Sequence, residues 1–289
     1  MILTIFTPCY NRANLLSKVH ESLKQQKNIE FEWLIVDDGS SDNTESLVND
    51  FIKEDLLAIR YIKKENGGKH TAHNVAVLNA YGNYFMCLDS DDILEDGAIN
   101  NIFDNIQFLQ KNECGLIAYK RAFNGKMLSQ KFIDMSSKSL YDFNNIDNIT
   151  GEFCFIFKTE VLKDYLFPEF QGETFIGENI LYDRLDMDGY FLRPLNTVIQ
   201  ICEYQEDGLS NGFKKLLCKN PKGFAIYHKQ RISLVKKLSK KIRHGISYNA
   251  FCILGKMAPA YNEEFLVSFV TFLPGCLCAL YYVLKYKNR

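Results

Sequence analysis

The sequence predicts an α/β protein with a mostly parallel sheet flanked by helices, followed by a helical C-terminal extension. Over the first hundred residues, short apolar segments alternate with helical segments, and polar turns follow three of the apolar segments. A basic and then uncharged stretch over residues 211–289 indicates the extension. We therefore expect a main domain over residues 1–210 and a separate segment over residues 211–289.

The predicted strands are short, mostly apolar runs, of which strand 2–6 ends near Pro8 and strands 31–36 and 84–88 end at acidic residues. The helical segments place apolar side chains on one face, as Leu15, Leu16, Val19 and Leu23 do in the first of them. The predicted order is strand 2–6, helix 12–26, strand 31–36, a helix capped at 41–44 and ending at 52, strand 59–62, helix 69–80 and strand 84–88.

This alternation predicts parallel strands joined by crossover helices. Ligands bind beyond the carboxyl ends of such strands, so the polar turns 7–12, 37–40 and 89–92 predict one site on a shared edge. After residue 110 the pattern is less regular. Strands are predicted there at 116–122, 152–157 and 190–204, and a helix at 178–187.

Composition narrows the function classes. A net charge of −1 over 289 residues gives no overall field that would draw the protein to nucleic acid. The nine cysteines are odd in number and scattered, with no metal-binding spacing, which favours reduced and buried thiols. Residues 1–7 lack the basic start and the length of a signal peptide. These features favour a cytoplasmic protein.

The acidic run 88–92 reads LDSDD and follows a predicted strand. Alternate carboxylates at Asp89 and Asp91 can ligate one hard cation such as Mn²⁺ or Mg²⁺, and a diphosphate can complete the coordination. The alternative is an acidic turn in which an aspartate, Asp92 among them, caps the next helix. A calcium loop is a poor fit, because apolar residues occupy its fifth and sixth positions.

Residues 66–70 read NGGKH and share some features with a phosphate-binding loop. Lys63 stands where such a loop needs Gly, and His70 where it needs Ser or Thr, so a P-loop is rejected. The Gly pair still lets Lys69 reach a phosphate as a point charge. A solvated lysine is the alternative.

Four motifs occur in order: TPCYNR at 7–12, VDDGSSD at 36–42, NGGK at 66–69 and LDSDD at 88–92. Together they resemble the family 2 glycosyltransferases, which have the Rossmann-like GT-A fold. The resemblance is strong over roughly the first 110 residues and continues more weakly to about residue 210. It implies a catalytic domain that uses a nucleotide sugar.

The resemblance implies roles for the nucleoside pocket. Tyr10 would stack on the nucleobase, implied to be uracil, and Asp38 would accept a hydrogen bond from it. Thr7 would line the same pocket. The alternatives are a packed turn aromatic for Tyr10 and stabilisation of the turn 39–40 for Asp38.

The resemblance also implies roles at the diphosphate. Lys69 would lie near the ribose or the diphosphate, and Asp91 would ligate the metal. Asp89 would lie near the ribose, or contact the metal through water. The implied donor-binding residues are Thr7, Pro8, Tyr10, Arg12, Asp38, Lys69 and Asp89, and the implied metal ligands are Asp91 and Asp89.

The catalytic base is implied by a helix motif that usually reads Glu-Asp, then apolar residues and Arg. Here the segment reads ENILYDR, starting at Glu178. A direct match makes Asn179 the base, and an amide cannot take up the proton. A shift of one residue aligns Leu181 and Arg184 with the family's Leu and Arg and makes Glu178 the base. If Glu178 only caps the helix, Asp183 is the next candidate.

The resulting prediction is a metal-dependent, inverting glycosyltransferase. It would move the sugar of a UDP-sugar to a hydroxyl of a saccharide or lipid-linked acceptor in polysaccharide synthesis. Two alternatives remain. A sugar-phosphate nucleotidyltransferase needs a Gly-rich first turn, which is missing. A non-catalytic nucleotide-sugar-binding protein of the same fold is supported by Asn179 alone.

The C-terminal segment suggests a location. Residues 236–243 are strongly basic, and apolar residues recur there at helical spacing. Residues 265–284 carry no charge and could span a bilayer as one helix, although Pro274 and Gly275 interrupt them. Together they predict peripheral contact with the inner face of the cytoplasmic membrane. Packing on the main domain and a homo-oligomer interface are the alternatives.

Overall fold

The computed structural model describes residues 2–27, 30–203, 213–259 and 265–287. The chain divides into two compact units. The first comprises residues 1–166 and 188–205, and the second comprises residues 167–187 and 206–289. The sequence pattern placed the boundary near residue 210, whereas the structure groups residues 167–187 with the C-terminal segment.

The first unit begins with the predicted alternation of strands and helices. Its first elements are β1 Leu3–Cys9, α1 Ala13–Lys24, β2 Phe31–Asp37, α2 Thr44–Glu54, β3 Ile59–Lys63, α3 Lys69–Asn79 and β4 Tyr84–Cys87. β1 lies between β2 and β4 and pairs in parallel with both, and β3 pairs in parallel with β2. The predicted parallel arrangement of these strands is confirmed.

The second half of this unit completes a mixed sheet. Its elements are β5 Ile93–Leu94, α4 Ala98–Ile106, β6 Glu113–Ala122, α5 Leu140–Asn145, β7 Phe153–Lys158, α6 Thr159–Lys163 and β8 Phe191–Cys202. Across the described residues the strand order is β3-β2-β1-β4-β7-β6-β8-β5. β7 is antiparallel to β4 and β6, whereas β8 is parallel to β6. The predicted strand 190–204 corresponds to β8, and residue 204 lies outside the described residues.

The core of the first unit forms where the central strands are apolar on both faces. All seven residues of β2 are buried, and β1 is buried at six of its seven positions. Strands with this pattern are covered by helices on both sides. The largest fully buried side chain is Trp33 on β2.

The second unit is helical in its described residues, as predicted for the extension. Its elements are α7 Asn179–Met187, α8 Phe213–Lys219, α9 Pro221–Leu234, α10 Leu238–Leu254, α11 Phe265–Val270, α12 Phe272–Tyr282 and a π-helical turn at Val283–Lys287. Phe224, Ile232 and Phe251 are among the buried side chains of its core. The helix predicted at 178–187 is α7.

Residues 167–187 belong to this unit because polar contacts tie them to α9. The Glu173 carboxylate accepts hydrogen bonds from the backbone N–H groups of Lys222 and Gly223, at 2.8 and 3.0 Å. These groups lie at the N-terminus of α9, where N–H groups lack helical partners and the helix dipole favours an anion. Asn220 accepts from the backbone N–H of Thr174 at 2.8 Å.

Pro274 does not interrupt a helix as its position in the sequence suggested. It lies in the first turn of α12, where its missing N–H is not required. The break falls instead at Thr271, between α11 and α12. Among the described residues, no helix combines the length and apolar character needed to cross a membrane.

Gly115 provides a test of the close pairing between β6 and β7. A Cβ added there would lie 2.1 Å from the carbonyl oxygen of Ile156, so backbone would have to move. We expect Gly115→Ala to lower the free energy of unfolding by about 3 kcal/mol, measured by urea denaturation. Gly177→Ala is the matched control, because a Cβ there meets nothing within 4 Å. Equal stability of the two variants would contradict the packing described.

A histidine pair joins α9 to α10 in the second unit. Nδ1 of His228 lies 2.9 Å from Nδ1 of His244, and the His228 ring stacks on Phe251. Burial, followed by the positive charges nearby, lowers the pKa of His228 to about 3 and that of His244 to about 4. Both rings are therefore neutral in the folded protein.

This pair predicts a loss of stability in mild acid. The unfolded chain takes up protons near pH 6.5 that the folded chain does not accept until much lower pH, so stability falls as the pH drops below 7. Between pH 7 and pH 5.5 we expect each histidine to contribute about 1 kcal/mol of this loss. His244→Gln should remove about half of the pair's contribution, measured by urea unfolding of the helices at both pH values. An unchanged pH dependence in this variant would refute the assignment.

Candidate active site

The polar turns predicted to share one edge follow β1, β2 and β4, which are neighbours in the sheet. Cys9 lies opposite Asp37 on β2, and Phe6 lies opposite Cys87 on β4. The chain moves outward from β1 to β2 and β3, and then returns to the other side of β1 to form β4. Such a reversal of strand order opens a crevice at the carboxyl ends of the strands, where α/β sheets bind ligands.

The turn after β1 carries Pro8, Tyr10 and Arg12 of the predicted donor-binding residues. Pro8 and Arg12 are partly buried, whereas Tyr10 is 50% exposed. The Tyr10 ring is therefore accessible to a planar ligand. Thr7 is fully buried, and its hydroxyl accepts a hydrogen bond from the indole N–H of Trp33 at 2.9 Å. Thr7 thus supports the turn from inside the core.

Asn11 holds the turn after β1 against the turn after β2, a role that the motif did not reveal. Its φ of +52° is left-handed, a conformation that Asn adopts more readily than most residues. Its side-chain oxygen accepts from the backbone N–H of Ser41 at 2.8 Å, and its own N–H donates to the hydroxyl of Ser40 at 2.9 Å. An Asn directly after a strand was the available signal.

Asp38 organises the loop that precedes α3. Its side chain is almost fully buried, and its carboxylate accepts from the backbone N–H groups of Gly67 and Gly68 at 2.9 and 2.6 Å. The Lys64 ammonium lies 2.7 Å from the same carboxylate. Three donors occupy most of the roughly four lone-pair positions of an ionised carboxylate. The loop is therefore fixed to the turn after β2.

Asp37 stabilises the turn at 39–40, which is the role considered above as the alternative for Asp38. Its carboxylate accepts a hydrogen bond from the backbone N–H of Ser40 at 2.7 Å and another from the hydroxyl of Tyr61. Burial, together with this bond to Asp37, raises the pKa of Tyr61. Gly39, between Asp37 and Ser40, has a φ of +85°, which a residue with a side chain would adopt only under strain.

The acidic run after β4 faces a lysine from α3. The ammonium of Lys69 lies 2.7 Å from Asp89, and both side chains are about one-third exposed. Burial acts to raise the pKa of Asp89, but the positive charges of Lys69 and Lys120 outweigh it and lower that pKa. Asp91 behaves differently: burial, followed by the negative charge of Asp89, raises its pKa. The charge of Asp91 is thus the less compensated of the two.

The donor set fits a divalent cation that is shared with a substrate. Among the described residues, no group of three or more His, Cys, Asp or Glu side chains could hold a metal ion. Mg²⁺ and similar ions are commonly held by one or two carboxylates together with substrate phosphates. Asp91 and Asp89 provide such a pair, and a cation beside them would offset the burial and the negative charge of Asp89 that raise the pKa of Asp91.

Asp92 is not the helix cap considered as the alternative. β5 follows it directly, and α4 begins at Ala98 with Gly97 as its N-cap residue. Asp92 is instead buried, 3.4 Å from the Lys120 ammonium, and it accepts a bond from the Cys202 thiol. Lys120 was missed, although a lysine that follows the apolar run 116–119 within a predicted strand was a visible signal.

Glu178 lies in the second unit, immediately before α7. Its carboxylate is exposed and accepts a hydrogen bond from the hydroxyl of Tyr182 at 3.2 Å. The other candidate base, Asp183, is 1% exposed and lies 2.7 Å from the guanidinium of Arg231. Burial raises the pKa of Asp183 to about 7 even though Arg231 opposes this shift. An acceptor hydroxyl could therefore reach Glu178 more readily than Asp183.

Comparison with known proteins identifies the family. Residues 4–166, more than half of the chain, match Glycosyl transferase family 2. A teichoic acid poly(glycerol phosphate) polymerase of Staphylococcus epidermidis is 34% identical over 150 residues, which are 52% of this chain and 20% of that protein. The chain thus spans about a fifth or less of the length of several curated relatives that it matches.

A relative of similar size matches over more of the chain. The GalNAc(5)-diNAcBac-PP-undecaprenol beta-1,3-glucosyltransferase of Campylobacter jejuni is 30% identical over 222 residues. The match covers 74% of this chain and 68% of that protein.

Two solved structures share the fold. S. aureus TarS 1–349 in complex with UDP-GlcNAc has a TM-score of 0.61 at 16% identity, covering 99% of this chain and 93% of that one. The mannosyltransferase PcManGT from Pyrobaculum calidifontis, in complex with GDP-Man and Mn²⁺, has a TM-score of 0.55 at 15% identity, covering 96% and 87%. The mostly parallel sheet with flanking helices is thus that of the GT-A fold. With these matches and the four motifs on one edge of the sheet, the chain belongs to glycosyl transferase family 2 and is classed as a glycosyltransferase.

Proposed function

We propose that this chain transfers the sugar of a nucleotide sugar, a UDP-sugar, to a hydroxyl of a saccharide or lipid-linked acceptor, with inversion and with a divalent metal. The observation that carries the proposal is the carboxylate pair Asp89 and Asp91, facing Lys69 at the crevice between β1 and β4. Two carboxylates and an ammonium at a strand-end crevice suit a metal-bound diphosphate.

The nucleoside would bind at the turns after β1 and β2. The half-exposed ring of Tyr10 offers a stacking surface for the base. Asp38 is already bonded to the loop 64–68, so a base N–H would use its remaining acceptor position. Asn11 and Asp38 together hold both turns in place before the donor arrives, which lowers the entropic cost of binding.

The diphosphate would bind beside the acidic run. Asp91 and Asp89 would hold Mn²⁺ or Mg²⁺, which stabilises negative charge on the departing nucleoside diphosphate. Lys69 pairs with Asp89 and would contribute a second positive charge toward the phosphates. Arg12 acts on the pKa of Asp91 through its charge, so its guanidinium also contributes to the field at this edge.

Glu178 would act as the general base. Its carboxylate would take the proton of the acceptor hydroxyl while that oxygen forms a bond to the anomeric carbon. The bond from the anomeric carbon to the diphosphate oxygen breaks on the opposite face, which inverts the configuration. Exposure of Glu178 at the start of α7 and the bond from the Tyr182 hydroxyl support this role.

The names of the relatives support the choice of substrates. The TarS structure contains UDP-GlcNAc, and the mannosyltransferase structure contains GDP-Man with Mn²⁺. The Campylobacter jejuni relative is named as acting on a lipid-linked saccharide. These names favour a nucleotide-sugar donor, a divalent metal and an acceptor of polysaccharide synthesis.

The base assignment is tested with Glu178→Gln. We expect transfer and donor hydrolysis to fall by about 100- to 10,000-fold, while the affinity for the nucleotide is unchanged, because only the proton acceptor is lost. Rates are measured as release of nucleoside diphosphate from nucleotide sugars.

Glu160→Gln is the matched control, since Glu160 is also an exposed carboxylate at the start of a helix. Asn179→Asp examines the other register of the motif. Near-normal transfer by Glu178→Gln, or a large rate increase in Asn179→Asp, would show that Glu178 is not the general base.

The metal site is tested by ligand-linked thermal stability. We expect nucleotide sugar with Mn²⁺ to stabilise the protein by about 2.7 kcal/mol at a ligand concentration one hundred times Kd, and by much less with a chelator. Asp91→Asn should remove the metal-dependent part alone. Asp96→Asn, an exposed aspartate in the next turn, is the control. Equal stabilisation with and without Mn²⁺ in the wild type would count against a metal-dependent donor site.

A further inference from the structure

Helices α11 and α12 have the opposite distribution of side chains from an ordinary surface helix, with small or polar residues buried and large apolar residues exposed. Their buried positions carry small or polar residues, with Ser268, Thr271, Gly275 and Ala279 each less than one-tenth exposed. Large apolar residues occupy the exposed positions at helical spacing. The exposed fractions are 71% for Leu266, 63% for Val270, 74% for Leu273, 70% for Leu277, 55% for Leu280 and 67% for Leu284.

This distribution follows from close packing against α10. A Cβ on Gly245 would lie 2.6 Å from the Thr271 hydroxyl oxygen, and a Cβ on Gly275 would lie 2.5 Å from Cβ of Asn249. The Asn249 amide is buried and donates to the carbonyl of Ser268 at 2.7 Å. Small residues let helix backbones approach in this way. The large side chains of α11 and α12 must then point away from α10.

The exposed apolar face continues onto the start of α10. Gly245 and Asn249 mark the side of α10 that packs on α11 and α12. Ile242 and Leu238 lie one and two turns earlier on that same side, and they are 39% and 64% exposed. We call this set of exposed side chains, comprising Leu238, Ile242 and the exposed residues of 266–284, the apolar face.

The charge around this face is strongly positive. Residues 208–289 contain 15 Lys and Arg and two Glu, with no Asp, although the whole chain has a net charge of −1. Lys236, Lys237, Lys240 and Arg243 are exposed at the start of α10, around Leu238 and Ile242. At the other end, the Lys285 ammonium lies 2.8 Å from the hydroxyl of the half-exposed Tyr281. Lysines beside a tyrosine at the end of an apolar helix are typical of a helix that lies in a membrane interface.

We propose that the apolar face docks on the surface of an anionic lipid bilayer, with α11 and α12 lying along it. A lipid surface is complementary in both respects, because its acyl region accepts the leucines and its anionic headgroups accept the lysines. A second copy of the chain is the competing occupant. A two-fold dimer would place the same patch against itself and bring like charges together, which disfavours that arrangement.

The surface lies within the second unit and does not depend on the donor-binding residues. Docking would hold the chain where lipid-linked acceptors are found, and this consequence rests on the proposed function. The docking itself can succeed or fail whatever the chemistry at Asp91 and Glu178 is.

The test is flotation of the full-length chain with lipid vesicles. We expect binding to vesicles of equal parts phosphatidylglycerol and phosphatidylcholine, weaker binding to phosphatidylcholine alone, and weaker binding at high salt. The double variant Leu273→Gln, Leu277→Gln should weaken binding to the anionic vesicles by about tenfold or more. Both side chains are exposed, so the fold should survive, which circular dichroism checks.

The matched control is Leu56→Gln, Ile133→Gln, two leucine-sized side chains of similar exposure outside the apolar face. It should bind anionic vesicles as the wild type does. Failure of the wild type to bind, or equal binding by the Leu273, Leu277 variant, would overturn the proposal. A third outcome would also overturn it: the wild type forms a dimer in analytical ultracentrifugation and binds no vesicles, and the Leu273, Leu277 variant is monomeric. A second copy of the chain would then cover the apolar face.

Discussion

The position of β1 in the sheet is the constraint on which the first unit depends. Because β2 and β4 pair with opposite sides of β1, the carboxyl ends of three consecutive parallel strands meet at one edge. The hydrogen bond from the N–H of Leu88 to the carbonyl of Phe6, at 2.8 Å, extends this pairing to the acidic run. Residues far apart in sequence, such as Tyr10 and Asp91, reach the same crevice for this reason. Without the reversal of strand order at β1, the motifs would be separate loops.

Several carboxylates lie at that edge, and most of them form an ion pair with a lysine. Asp38 pairs with Lys64, Asp89 with Lys69, and Asp92 with Lys120. Burying a carboxylate without such a partner is costly. Burial and the negative charge of Asp89 raise the pKa of Asp91, and they raise the pKa of Asp92 to about 6 although Lys120 lies beside it. The cation proposed to bind with the donor would add positive charge that favours the ionised forms of these carboxylates.

The sequence predicted the first half of the fold well, because parallel strands covered on both faces are continuous apolar runs. It did not predict that β7 would run antiparallel next to β4, since pairing direction depends on contacts with β6. The strand-end motifs correctly predicted that the acidic run and the turn of Tyr10 follow neighbouring strands. Asn11 and Lys120 were missed because their roles depend on partners in the turns after β2 and β4, which are distant in sequence. The alternative in which Asp92 caps the next helix is wrong, because β5 rather than a helix follows the acidic run.

The two units differ in charge far more than the whole chain suggests. The first unit holds 26 of the 35 Asp and Glu and 18 of the 34 Lys and Arg, whereas the second unit holds nine Asp and Glu and 16 Lys and Arg. The acidic first unit would be repelled by anionic lipid, so an anionic bilayer would be unfavourable for that unit alone. The basic second unit would be attracted to the same lipid. Segregation of charge, rather than its net value, is therefore what the two proposals need: a metal-bound nucleotide at the first unit and an anionic surface at the second.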